Sequence, residues 1–149
     1  TYDQKPEMSA RGICDGVLAR LRADDCESVI IVNFANPDMV GHTGKLDAVI
    51  RAVEVVDACV GEIVTATLAR GGAVVVTADH GNAEQMWNPA HNCPHTSHTT
   101  YDVPLLVISA AHRGAALREG GRLADIAPTM LDLLGVAQPA PMTGQSLLA

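Results

Sequence analysis

Three short apolar runs limit what this chain can become. Ser28-Val29-Ile30-Ile31-Val32-Asn33-Phe34, Ala73-Val74-Val75-Val76-Thr77 and Val103-Pro104-Leu105-Leu106-Val107-Ile108 are nearly continuous in apolar residues. That is the pattern of strands buried on both faces. Helical patterns lie between and around them. From Met8 to about Ala23, Ile13, Val17, Leu18 and Leu21 recur at helical spacing, with Ser9 placed to cap the start. From Leu46 to about Arg70, Val49, Val53, Val56, Val60, Ile63 and Val64 line one side, and Gly71-Gly72 stops the helix. Ala124 to Gly135 reads as a short amphipathic helix ended by glycine, and Gln138 to Ala149 as an irregular tail. Buried strands alternating with helices predict an α/β layered fold, a mainly parallel sheet flanked by helices. In such sheets, sites form beyond the carboxyl ends of the strands.

The chain has 149 residues, 48% of them hydrophobic and only 3% aromatic, enough for one domain with a core of Val, Ile, Leu, Ala and Met. Its formal charge is −7, which argues against nucleic acid or an anionic membrane as partner. Lys5, Lys45 and scattered arginines form no cationic cluster. Cys14, Cys26, Cys59 and Cys93 make no C-x-x-C pair, and Cys14 and Cys59 fall inside helical patterns, where buried free thiols suit a reducing cytoplasm. The polar start, Thr1-Tyr2-Asp3-Gln4-Lys5-Pro6-Glu7, carries no signal-peptide pattern. No apolar run reaches the roughly 20 residues that span a bilayer. Without an initiator Met, the chain reads as a processed or truncated piece.

Chemistry concentrates in three segments. Asn36-Pro37-Asp38-Met39-Val40-Gly41-His42 and Thr77-Ala78-Asp79-His80-Gly81-Asn82 each follow a strand pattern, and Pro94-His95-Thr96-Ser97-His98-Thr99 lies just downstream. Asp38 and His42 sit in a segment opened by Pro37 and holding Gly41, expected to be a loop rather than a helix. On a regular strand Asp79 and His80 would point to opposite faces. Gly81 lets the backbone turn there, so both can reach one ion or two neighbouring ions. Carboxylate and imidazole ligands without cysteine favour Mn²⁺, Zn²⁺ or Fe²⁺ over Ca²⁺. Any one of these pairs alone has an ordinary structural explanation, such as a turn cap or a histidine bonded to backbone. Five ligand-type side chains delivered to strand ends together predict a metal site.

These segments, extended to Asn36–Gly44, Thr77–Glu84 and His95–Thr100, closely resemble the cofactor-independent phosphoglycerate mutases of the alkaline phosphatase superfamily. The opening Thr1–Ala10, the late Asp125–Gly135 and Met142-Thr143-Gly144-Gln145-Ser146-Leu147 resemble them too, so the resemblance runs along the whole chain. Asp-His-Gly and the late helix are shared across the superfamily, whereas Asn-Pro-Asp-Met-Val-Gly-His is more particular to these mutases. The resemblance implies two Mn²⁺ ions and interconversion of 3-phosphoglycerate and 2-phosphoglycerate through a phosphoserine. It implies that Asp38, His42 and His98 hold one manganese and that Asp79 and His80 hold the other beside the nucleophilic serine. His95 would support the ligands from behind or be incidental. His91 is a weak candidate and His112 a solvated side chain.

The same resemblance makes residues 1–149 the C-terminal portion of the metal-binding phosphatase-like domain. The N-terminal portion, with its serine and further ligands, and an inserted substrate domain have no counterpart here. Ser9, Ser28, Ser97 and Ser146 do not replace that nucleophile, so this chain alone is expected to be inactive, with phosphoglycerate a partner of the complete enzyme in the cytoplasm. One edge of its sheet should be unprotected and prone to self-association. Two other readings stay open. One is a different superfamily enzyme, such as a phosphopentomutase or a phosphomonoesterase. The other is a non-catalytic metal-binding remnant.

Overall fold

The computed structural model describes residues 1–148; Ala149, the last residue of the expected tail, lies outside them. Helix α1 spans Ala10–Arg22, α2 Asn36–Gly41, α3 Leu46–Ala69 and α4 Ile126–Leu133. The strands are β1 (Val74–Thr77), β2 (Trp87–Asn88), β3 (Cys93–Pro94) and β4 (Leu105–Ile108). The helical periodicities of the sequence therefore correspond to helices within two residues at each end. Ser9 does stand at the start of α1, but its side chain makes no capping bond. Gly71 ends α3 with a φ of +74°, a conformation that side chains with a Cβ disfavour.

Helix α3 organises the packing. One stretch of it, Val55, Cys59, Ile63 and Ala66, meets Ala10, Cys14 and Leu18 of α1, with Phe34 alongside. Nearer its start, Ala48, Val49 and Ala52 enclose Val40 of α2 together with Met8, Ala83 and Met86. Burying a side chain such as Leu18 contributes about 1.5–3 kcal/mol. The expected stripe is thus corrected at Val53, which is 44% exposed beside a 47% exposed Ile50. Helix α3 is apolar around much of its circumference, so small alanines and Cys59 take the close contacts. Cys14 and Cys59 are free and buried, as expected, and burial together with the neighbouring Cys59 pushes the Cys14 thiol up to about 11.

The mainly parallel sheet is not what forms. Among the described residues both sheets are two-stranded and antiparallel, β1 against β4 and β2 against β3, giving a mixed α/β chain. The physical reason lies in the connection. A parallel return needs a crossover that carries the chain back past the strand, usually through a helix. Residues 78–104 contain no helix, only turns and the β2–β3 hairpin, so the chain comes back from the end it left.

The expected strand over Ser28–Phe34 is a second correction, because no ladder forms there. Its burial nonetheless alternates with a period of two. Ile30, Val32 and Phe34 are half-buried, whereas Val29 and Asn33 are exposed and Ile31 is 85% exposed. The side chains follow a strand's alternation while the backbone lacks a neighbour to pair with.

The tail is irregular, as expected, but firmly attached. Asp125, 2% exposed, accepts from the Gln145 and Arg122 N–H groups at 2.9 and 3.0 Å and from Arg118 at 3.2 Å. One turn on, Thr129 Oγ1 accepts from Leu147 N–H at 2.9 Å, which seats Leu147 in the core. The Gln145 bond pulls the Asp125 carboxyl pKa down, burial pushes it up, and Arg122 and Arg118 bring the net below the ordinary value. A carboxylate with a depressed folded pKa stabilises the fold above its unfolded pKa, and that stabilisation is lost as pH falls through the folded one. Asp125→Asn is therefore expected to lower the melting temperature at pH 7 by about 5–10 °C. The gap should begin to narrow below about pH 4, where aspartate in the unfolded chain takes up its proton, and narrow further as the folded carboxylate protonates at lower pH. Thermal melts of both proteins across pH 3–7 check this; a constant gap would rule it out.

Candidate metal centre

Asp38 and His42 are brought together by a helix, which corrects the loop expected there. Pro37 sits in the first turn of α2, where its missing N–H costs nothing, and Asp38 follows it. His42 caps the other end, four residues on, so the two side chains share one face. His42 Nε2 lies 3.2 Å from Asp38 Oδ1. Buried Asn36 anchors the helix, its Nδ2 donating to the Pro6 and Glu7 carbonyls at 2.8 and 2.9 Å.

His98 arrives from the segment after β3. Its Nε2 is 3.0 Å from Asp38 Oδ1 and 3.2 Å from His42 Nε2. His80, following β1, stacks its ring on His98 with centroids 3.7 Å apart and planes at 19°. Ligand atoms of Asp38, His80 and His98 all fall within 4.8 Å of one another. Asp79 stands further out, 82% exposed, and its Oδ1 is 3.7 Å from His80 Nε2. The two ligand groups expected from the sequence lie side by side, with His80 stacked on His98 and Asp79 further out.

The donor set fits a divalent cation. His42 Nδ1 lies 2.7 Å from the Thr96 carbonyl, which can only accept, so Nδ1 carries the proton. In the neutral ring Nε2 then presents a lone pair toward Asp38 Oδ1 and His98 Nε2. A carbonyl that fixes the imidazole tautomer from behind is the usual support of a metal-binding histidine. Burial pushes the Asp38 carboxyl pKa up, but the Asn82 hydrogen bond and the imidazoles of His42, His98 and His80 pull it below the ordinary range. Lone pairs and a carboxylate crowded this closely repel one another unless a proton or a cation lies between them.

The remaining histidines make other contacts. His95 donates its backbone N–H to Met86 O at 3.0 Å, and its Nδ1 is buried without a hydrogen-bond partner. His91 is exposed in the β2–β3 turn. His112 is half-buried rather than solvated, its Nδ1 3.3 Å from Ser109 Oγ.

Sequence reasoning passed over the residues that knit the segments together. Asn82, 4% exposed, donates from Nδ2 to Asp38 Oδ1 at 2.8 Å and to the Asp38 carbonyl at 3.3 Å. The Asn82 N–H in turn donates to Glu84 Oε2 at 2.7 Å, and the Thr99 hydroxyl donates to Glu84 Oε1. Thr99 N–H also donates to the Gly81 carbonyl at 2.9 Å. The available signal was the polar Asn82 and Glu84, two residues apart, directly after Asp79-His80-Gly81.

A family model described as the metalloenzyme superfamily matches residues 1–138. The chain belongs to the metalloenzyme superfamily. Within this family it is similar to a section of much longer proteins. It is 62% identical over 148 residues to the 2,3-bisphosphoglycerate-independent phosphoglycerate mutase of Rhodopirellula baltica, covering 99% of this chain and 27% of that protein. The mutase of the same name from Desulforudis audaxviator is 58% identical, with 100% of this chain and 28% of that protein covered. A crystal structure of Leishmania mexicana phosphoglycerate mutase, determined at low cobalt concentration, superposes with a TM-score of 0.88 at 32% identity. It covers 99% of this chain and 29% of its own. The chain thus spans little more than a quarter of the length of these relatives.

Proposed function

We propose that this chain is the C-terminal, metal-binding part of a phosphoglycerate mutase that interconverts 3-phosphoglycerate and 2-phosphoglycerate through a phosphoserine. The observation that carries the reading is the convergence of Asp38, His42, His80 and His98, in a chain 62% identical to a mutase section. Asp38, His42 and His98 hold one Mn²⁺, and Asp79 and His80 belong to a second. The second ion's remaining ligands, the nucleophilic serine and the groups that grip the substrate come from outside this chain. Bound there, the cations would neutralise a transferring phosphoryl group and lower the pKa of a coordinated hydroxyl. Asp38 supplies negative charge, and His42 is held by Thr96 O with Nε2 directed inward. Such an enzyme, acting on a small phosphorylated acid, belongs in the cytoplasm.

Exposed apolar surface supports the view that more protein packs here. Ile31, Ile50, Val53 and Leu106 are each 44% exposed or more, and among the described residues β1 and β4 each have one unpaired edge. The isolated chain should therefore self-associate as concentration rises, which sedimentation velocity would reveal.

Exchanging this chain for the matching section of the Rhodopirellula baltica protein tests the function. The chimera should form 2-phosphoglycerate from 3-phosphoglycerate in the presence of Mn²⁺, and the isolated chain should not. A folded, metal-loaded but inert chimera would overturn the reading, as would turnover by the isolated chain.

A further inference from the structure

We propose that Asn82, braced by Glu84, is a positioning residue that aims one lone pair of Asp38 Oδ1 at the cation site. The inference rests on the reading of Asp38 as a metal ligand and adds to it a residue that never touches the ion. Three observations support it. Asn82 Nδ2 takes up one acceptor direction of Oδ1 at 2.8 Å, leaving the other toward His98 and His42 at 3.0 and 3.2 Å. The amide orientation is fixed by its partners: Nδ2 faces both the Asp38 carboxylate and the Asp38 carbonyl, which only accept.

The second observation is Gly41. A Cβ at Gly41 would run into the Asn82 side-chain amide, with its Cγ at 2.8 Å, so this turn of α2 leaves the amide its place. The third is the brace itself. Glu84 is on the surface, yet it accepts from the Asn82 N–H and from the Thr99 hydroxyl, one residue beyond His98. Glu84 therefore ties the segment carrying His98 to the residue that orients Asp38. Ligand direction and the spacing between two ligand-bearing segments depend on the same pair of residues. Without Asn82, the Asp38 carboxylate could turn about its last torsion and offer both oxygens to an ion.

Titration of the 149-residue chain with Co²⁺, read by its visible absorption, tests the assignment through both affinity and spectrum. Asn82→Ala should bind Co²⁺ about 10–100-fold more weakly, with altered band intensity because the coordination geometry changes. Glu84→Ala should weaken binding in the same direction by about threefold or more, whereas Glu84→Gln, whose carbonyl oxygen can still accept from the Asn82 N–H while its NH2 donates to the Thr99 hydroxyl oxygen, should restore most of it. Asp38→Ala separates the two levels of the argument: undiminished binding there would remove the metal-ligand reading itself. If Asp38→Ala abolishes binding while Asn82→Ala keeps wild-type affinity and spectrum, the positioning role is wrong. Should Asn82→Ala fail to fold, the surface pair decides, and equal affinities of Glu84→Ala and the wild type would overturn the proposal.

Discussion

Asp38→Ala is expected to abolish divalent-cation binding by this chain, with affinity for Mn²⁺ falling more than about 100-fold. Among the four side chains that converge, Asp38 alone is a carboxylate; the others are the imidazoles of His42, His80 and His98. Its Oδ1 is the atom both nearby Nε2 groups approach, at 3.2 and 3.0 Å. Removing a supporting group behind a ligand already costs about 10–100-fold, and here both a ligand and the charge that attracts the ion are lost. Isothermal titration with Mn²⁺ measures it. His91→Ala, on an exposed turn, is the matched control and should bind as the wild type does. Equal affinities for Asp38→Ala and His91→Ala would mean that the ion binds elsewhere.

The largest stability loss is expected from Gly144→Ala. A Cβ there would collide with the Ala124 carbonyl oxygen and approach its carbon to 2.6 Å and Asp125 Oδ1 to 3.0 Å. The carbonyl is backbone, so no rotamer change relieves the clash. The neighbouring Gln145 N–H is the group that bonds Asp125 Oδ1 at 2.9 Å, which prevents the tail from simply lifting away. Overpacking a close-packed site costs about 1–3 kcal/mol when side chains can give way; against backbone the upper end or more is expected. For a chain of this size that corresponds to a fall in melting temperature of about 10 °C. Calorimetry should also show that Gly135→Ala, at a helix end with φ +65° and open space around it, costs less. Equal losses would mean that the contact with Ala124 is not what matters at Gly144.

Helices α1, α3 and α4 were the legible part of this fold. The spacing of Leu18 and Leu21 in α1, and the Gly71 stop after α3, act within one element, and local physics decides them. The sheet was not legible, because pairing depends on where a chain returns. Apolar runs such as Ala73–Thr77 and Val103–Ile108 specify strands but not direction, and a helix-free connection made them antiparallel. Ser28–Phe34 shows the same limit: a β-prone sequence forms a ladder only beside a partner.

At the site, the ligand-type residues were readable in the sequence, but not how the chain brings them together. Asp38 and His42 meet through helical spacing, which Pro37 had suggested was absent, although proline in a first turn favours a helix start. His80 and His98 are far apart in sequence, and only the return of the chain after β3 stacks them. Asn82 and Glu84 carry no ligand signature, since their work is to hold other groups in place.

The account turns on whether imidazoles and a carboxylate hold an ion together. X-ray absorption at the manganese K-edge of the Mn²⁺-loaded chain measures that directly. The account predicts a shell of oxygen and nitrogen ligands with the outer-shell scattering of at least two imidazoles, losing one imidazole in His98→Ala. A shell of oxygen alone, unchanged in His98→Ala, would contradict it.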